Sequence, residues 1–133
     1  MRTNLISEWS VGEYLGQLIL IERSETDVQI ALKVVSNSHH GVIQFWWDES
    51  DYLIQGITEV LITKHDKLSA NMLVGLMLSK NDNILFGWSP INDDQCGLVL
   101  YQDNESIIID EANVVNFFRW LRSNLQLIGR IVS

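Results

Sequence analysis

Cysteine and proline are almost missing from this sequence, with one of each in 133 residues. A lone Cys96 closes no internal disulfide, so nothing in the chain calls for an oxidising compartment. A single proline beside 47% hydrophobic residues argues against a disordered polypeptide. Positive charge is scarce too. Nine Lys and Arg stand against seventeen Asp and Glu, a net charge of −8. Phosphate contacts need cations, which argues against general nucleic-acid binding. The acidic balance suits solubility and would steer a basic partner into contact. No apolar run approaches the ~20 residues that span a bilayer. The opening MRTNLISEWS lacks the basic region, apolar core and cleavage site of a signal peptide. The expected location is the cytoplasm. The length fits one globular domain over 1–133, with no linker, low-complexity segment or convincing repeat.

Reaction chemistry is equally thin. His39-His40 and His65 offer no i, i+4 pair and no nearby cysteine set to complete a zinc cage. Cys96 lies beside Asp93, Asp94 and Gln95 rather than the basic neighbour a reactive thiolate needs. The carboxylates are plentiful, but most sit in turns, where they are simply solvated. There is no glycine-rich phosphate loop, nucleophile elbow or EF-hand spacing. The expectation is a protein that is not an enzyme and takes no metal or cofactor.

What the sequence does have is alternation and aromatic rings. Gly41–Gln55, GVIQFWWDESDYLIQ, holds an apolar run, a polar stop at Asp48–Asp51 and a second apolar run. That pattern predicts a hairpin. Adjacent Trp46 and Trp47 on a strand point to opposite faces. Ser10 and Glu13 have capping-box spacing, with Trp9 and Tyr14 placed as a staple, predicting a short helix from Val11. Gln17–Arg23 and Val28–Val35 flank a turn at 24–27, and 36–41 is a turn by composition. Over 52–63, Leu53, Ile57, Val60 and Leu61 fit a helix, while the β-branched content fits a strand; the hairpin favours the strand. Over 67–80 a helix capped by Ser69 is taken, against a rival hairpin of 72–79 with 84–88. Ser89-Pro90 is expected to end the second of those strands, and 98–101 pairs with 107–109. The last helix is clearest. Asp110 caps it, and Val114, Phe117, Phe118, Leu121, Leu125 and Ile128 form one stripe. Trp120, Leu127 and Ile131 form a thinner stripe, open to covering a sheet edge, joining a dimer or widening the core face. The fold class is α+β, a mostly antiparallel sheet packed by a C-terminal helix and one or two others.

Five tryptophans is a high count for this length, and Trp and Tyr are favoured interface anchors. The candidate partner-binding residues are the rings Trp46, Trp47, Tyr52, Trp88 and Tyr101 with the acids Asp48, Glu49, Asp51, Asp93, Asp94 and Asp103. The plainer reading puts most of these rings in the core.

Ser7, Trp9, Ser10 and Tyr14, then Ala31 and Leu32, Ile43, Trp46 and the segment Tyr52–Gln55, then Asp110, Val114, Val115, Phe118 and Leu121 give an order of features. It resembles the immunity proteins of contact-dependent growth-inhibition systems. The resemblance spans most of the chain on scattered positions. It departs at Leu18, where a second Trp is expected, and at Gly56, where an Asn often follows the Gln. It implies a cytoplasmic binder of a toxin domain, often a nuclease, that acts by occlusion without chemistry. The alternative is a type III secretion chaperone, a dimer holding an export segment, whose helix–strands–helix–strands–helix order fits the helical reading of 67–80.

Overall fold

The structure is a computed structural model that describes residues 1–63, 73–77 and 83–132. It is α+β, with two antiparallel sheets and two helices. The first sheet is a meander of β1 (Arg2–Val11), β2 (Tyr14–Glu22), β3 (Val28–Val35) and β4 (His40–Trp46). A 3-10 turn at Trp47–Glu49 leads into α1 (Ser50–Thr63). The second meander is β5 (Leu73–Met77), β6 (Asn83–Asn92), β7 (Gln95–Gln102) and β8 (Glu105–Asp110), followed by α2 (Glu111–Val132). The described elements therefore repeat one plan, four strands and a helix, although no repeat is legible in the residues.

Alternation builds both sheets. Leu18, Leu20, Ile30, Leu32, Ile43 and Phe45 face inward on the first and are fully buried, as are Ile84, Phe86, Leu98, Leu100, Ile107 and Ile109 on the second. One core cluster joins these to Leu53, Ile57 and Val60 of α1 and to Val114, Phe117, Leu121, Leu125 and Ile128 of α2. The α2 stripe is thus the core face expected from its spacing. Its N-terminus is capped as expected, with Asp110 Oδ1 accepting from the Asn113 backbone N–H at 3.0 Å.

Several expectations are overturned. The Ser10–Glu13 segment is not a helix start: Val11 and Tyr14 are register partners across a two-residue turn. Gly12 sits at φ +57° in that turn, as a tight hairpin requires of its first central residue. Trp9 and Tyr14 do meet, but across the hairpin, with stacked rings 5.7 Å apart. The segment 52–63 is helix, not strand. Asp48, Glu49 and Asp51 are the acidic first turns of the helical stretch, where the backbone dipole favours negative charge, rather than a hairpin tip. Of the helix expected over 67–80, Leu73–Met77 is a strand paired with β6, as in the rival reading, and the rest lies outside the described residues, as does His65. Pro90 does not end β6, which runs on to Asn92. Pro90 pairs with Cys96 of β7 beside a register shift between Pro90 and Asn92, and such irregular places are where a strand accommodates proline.

The two sheets meet at the edges of β4 and β8. The Gln102 carboxamide acts as a surrogate strand: its Nε2 donates to the Gln44 carbonyl at 2.6 Å and its Oε1 accepts from the Gln44 N–H at 2.7 Å. His39 Nε2 lies 2.8 Å from the Ser106 carbonyl. Gly41 is needed for close approach, because a methyl group there would overlap the Ser106 carbonyl. Gly41→Ala is therefore expected to cost about 3 kcal/mol, since neither backbone can yield cheaply; equilibrium urea unfolding measures it.

The first hairpin is bound to α2 by a cluster of rings. Trp9 meets Phe117 edge-on at 5.3 Å and stacks on Trp120 at 6.1 Å. Trp9 Nε1 donates to Asn116 Oδ1 at 2.6 Å, and Trp120 Nε1 donates to Ser7 Oγ at 3.0 Å. Trp120 thus packs on the face of the β1–β2 hairpin, over Trp9 and Gly16, while Leu127 and Ile131 of the same stripe stay exposed. The Tyr14 hydroxyl donates to Asp110 Oδ2 at 3.0 Å and accepts from the Asp110 N–H at 3.1 Å. Burial, then the Asp110 carboxylate, raises the phenol above its ordinary 10.0, partly offset by the backbone bond. A phenol held protonated by folding stabilises fully below pH ~10, and that stability is lost as pH climbs through the raised folded value. Tyr14→Phe is expected to cost about 2 kcal/mol at pH 7. Unfolding titrations from pH 7 to 11 should show a shallower alkaline fall for the variant than for the parent chain.

Candidate functional site

The β4–α1 corner and the exposed side of α1 gather more of the expected partner-binding residues than any other described region. Helical spacing sorts them. Asp48 in the preceding turn, then Tyr52, Gln55 and Glu59, fall three or four residues apart on one flank, and all are exposed. Tyr52 keeps 49% of its surface. Asp51 is exposed beside them and forms no ion pair among the described residues. From Trp47 to Thr63 there is no Lys or Arg, against Asp48, Glu49, Asp51 and Glu59. This flank is therefore an exposed tyrosine among carboxylates, on a segment that carries no cation of its own.

The adjoining flank of α1, which includes Asp51, forms a groove with α2. Trp47, Ser50, Asp51 and Ile54 line one wall and Arg122, Leu125 and Gln126 the other, around a volume of about 310 Å³. The Trp47 ring lies over Gly129, within 3.2 Å of where a side chain would begin. Ser50 Oγ donates to the Trp47 carbonyl at 2.7 Å and fixes the helix entry.

The remaining candidates are scattered. Glu49 is buried and cannot present its charge to a partner; its Oε1 has no hydrogen-bond partner among the described residues. Trp88 belongs to the core, and Trp46 is half-buried opposite Gln29. Tyr101 is 44% exposed on the outer face of the second sheet, opposite the exposed Leu85. Asp93-Asp94 and Asp103 occupy turns at opposite ends of the eight-residue β7, a separation of roughly 24 Å at strand rise. The acidic turns thus do not form one rim. Asp103 instead lines a polar cleft of about 320 Å³ with Gln29, Val42, Gln44, Gln102 and Glu105. Buried Gln29 there accepts a hydrogen bond from Arg23 Nε.

Gln55, Glu59 and Arg122 belong to these surfaces without being among the expected site residues: a strand over 52–63 hides the spacing of Gln55 and Glu59, and nothing along the chain sets Arg122 of the last helix beside α1. The signal for the first two was the helical spacing of Leu53, Ile57 and Val60. Among the described residues, no group of three His, Cys, Asp or Glu side chains could hold a metal ion. None of the described helices is long and apolar enough to cross a membrane. No protein-family model matches the chain, and no curated protein matches it significantly.

A buried carboxylate oxygen without a partner lowers stability. Replacing it by an apolar side chain of similar volume, Glu49→Met, is expected to raise the unfolding free energy by about 1–3 kcal/mol. Urea denaturation at neutral pH gives the value.

Proposed function

We propose that the chain is a non-catalytic immunity protein that binds a basic toxin domain, a nuclease being the natural candidate, and covers its active site. The observation that carries this reading is the exposed flank of α1, with Tyr52 among Asp48, Asp51 and Glu59 and no cation along the segment. A surface that binds nucleic acid must be cationic, because phosphate contacts supply its affinity. Carboxylates held on a rigid helix can occupy the same field, and an aromatic anchor at their centre supplies contact area that excludes water. The net charge of −8 accelerates encounter with such a partner. The resemblance to growth-inhibition immunity proteins points the same way. The chaperone alternative rested on a helix–strands–helix–strands–helix order. The described order instead opens with four strands, so element order no longer favours it.

The test is rescue and binding together. The chain is co-expressed with the polypeptide encoded beside its gene, and association is followed by stopped flow at several salt concentrations. Asp48→Lys and Glu59→Lys combined should abolish rescue and slow association at least tenfold, with a flatter salt dependence. Tyr52→Ala should chiefly speed dissociation. Glu49 is left alone because it is buried, and Asp51 because it also lines the groove beside α2. Undiminished rescue by the double variant, with unaltered kinetics, excludes this flank as the contact.

A further inference from the structure

We propose that the groove between α1 and α2 is a self-complementary interface through which two copies of the chain associate about a two-fold axis lying along the groove. Its floor is apolar: Trp47, Ile54 and Leu125 line it, and half-buried Leu61 and Phe118 pack against the core beside it. Ile62 and Val115, 61% and 49% exposed, carry apolar surface out of the core on the two helices.

The charge on its walls selects the occupant. Asp51 is the one charged residue lining the α1 wall and Arg122 the one lining the α2 wall. One wall is therefore acidic and the other basic. A uniformly basic partner would meet Arg122, and a uniformly acidic one would meet Asp51. A second copy turned about the groove axis lays its α1 on the first copy's α2 and its α2 on the first copy's α1. Each acidic wall then meets a basic wall, and the contact is made twice, as an isologous interface requires. Asp51 and Arg122 are exposed on the same groove and form no ion pair with each other. Neither has an ion-pair partner among the described residues, so both can meet a second copy. The flank bearing Asp48, Tyr52, Gln55 and Glu59 turns away from this contact by helical spacing and remains open in the pair. The inference does not depend on the partner proposed above, and its test contains only this chain.

Sedimentation equilibrium of the purified full chain across the micromolar range measures the association. A concentration-dependent dimer is expected. Asp51→Arg alone and Arg122→Glu alone should each weaken it at least tenfold, because each sets like charges together twice. An equimolar mixture of the two variants should recover a dimer, since both contacts of the mixed pair are then of opposite sign. Circular dichroism of each variant separates a lost contact from a lost fold. A parent chain that stays monomeric throughout, a dimer indifferent to both reversals, or a mixture that fails to recover association from two folded variants overturns the proposal.

Discussion

The packing of Trp9, backed by Tyr14, against Phe117 and Trp120 is the constraint on which the rest of the structure depends. Each meander is a local object: its strands pair with sequence neighbours. Nothing local joins the first hairpin to the last helix. The ring cluster does so across about a hundred residues, and three side-chain hydrogen bonds orient it, Trp9 to Asn116, Trp120 to Ser7 and Tyr14 to Asp110. Stacked and edge-on aromatic pairs each add about 0.5–1.5 kcal/mol beyond the area they bury. The Asp110 side chain serves two masters, capping α2 and receiving Tyr14. Helix start and hairpin end are thereby fixed to one another.

That attachment decides what the surface offers. With α2 held on the β1 side by Trp120, its other flank faces α1 and leaves a groove instead of a closed helix pair. The β4–β8 joint sets the remaining boundary, since Gln102 and Gly41 seal two edges that would otherwise offer unpaired backbone. The open surfaces of the described residues include an acidic flank with Tyr52, a groove with Asp51 on one wall and Arg122 on the other, and a polar cleft lined by glutamines. Glu49 is carried at a cost in the middle of this corner, and proteins commonly retain such costs near surfaces they use.

Much of the fold was legible where one signal spoke alone. The alternation of Val28–Val35, the turn at 24–27 and the Asp110-capped stripe of α2 left no competing reading. The failures came where one residue set suits two structures. Asp48-Glu49-Ser50-Asp51 is good turn chemistry and equally good helix-start chemistry; the helical spacing of Leu53, Ile57 and Val60 settles the matter once the core exists to receive it. Ser10 and Glu13 match a capping box, yet Gly12 between them permits the tighter hairpin, and Trp9 gains a buried partner only in that form. The burial of Trp88 agrees with the plainer reading of the rings, but that of Glu49 was not legible, because neighbours along the chain do not report what packs across it. For the same reason the spread of the acidic turns to opposite ends of β7 emerged only with the strand order.

Hydrogen exchange across the whole chain, with and without Trp120→Ala, tests this account most directly. If the ring cluster ties the first hairpin to the last helix, amides of β1, β2 and α2 share one opening free energy, and the substitution lowers all three by the same amount. If α2 keeps its full protection while β1 and β2 alone begin to open, the two ends of the chain are held independently, and the constraint placed at the centre of this structure is not the one that organises it.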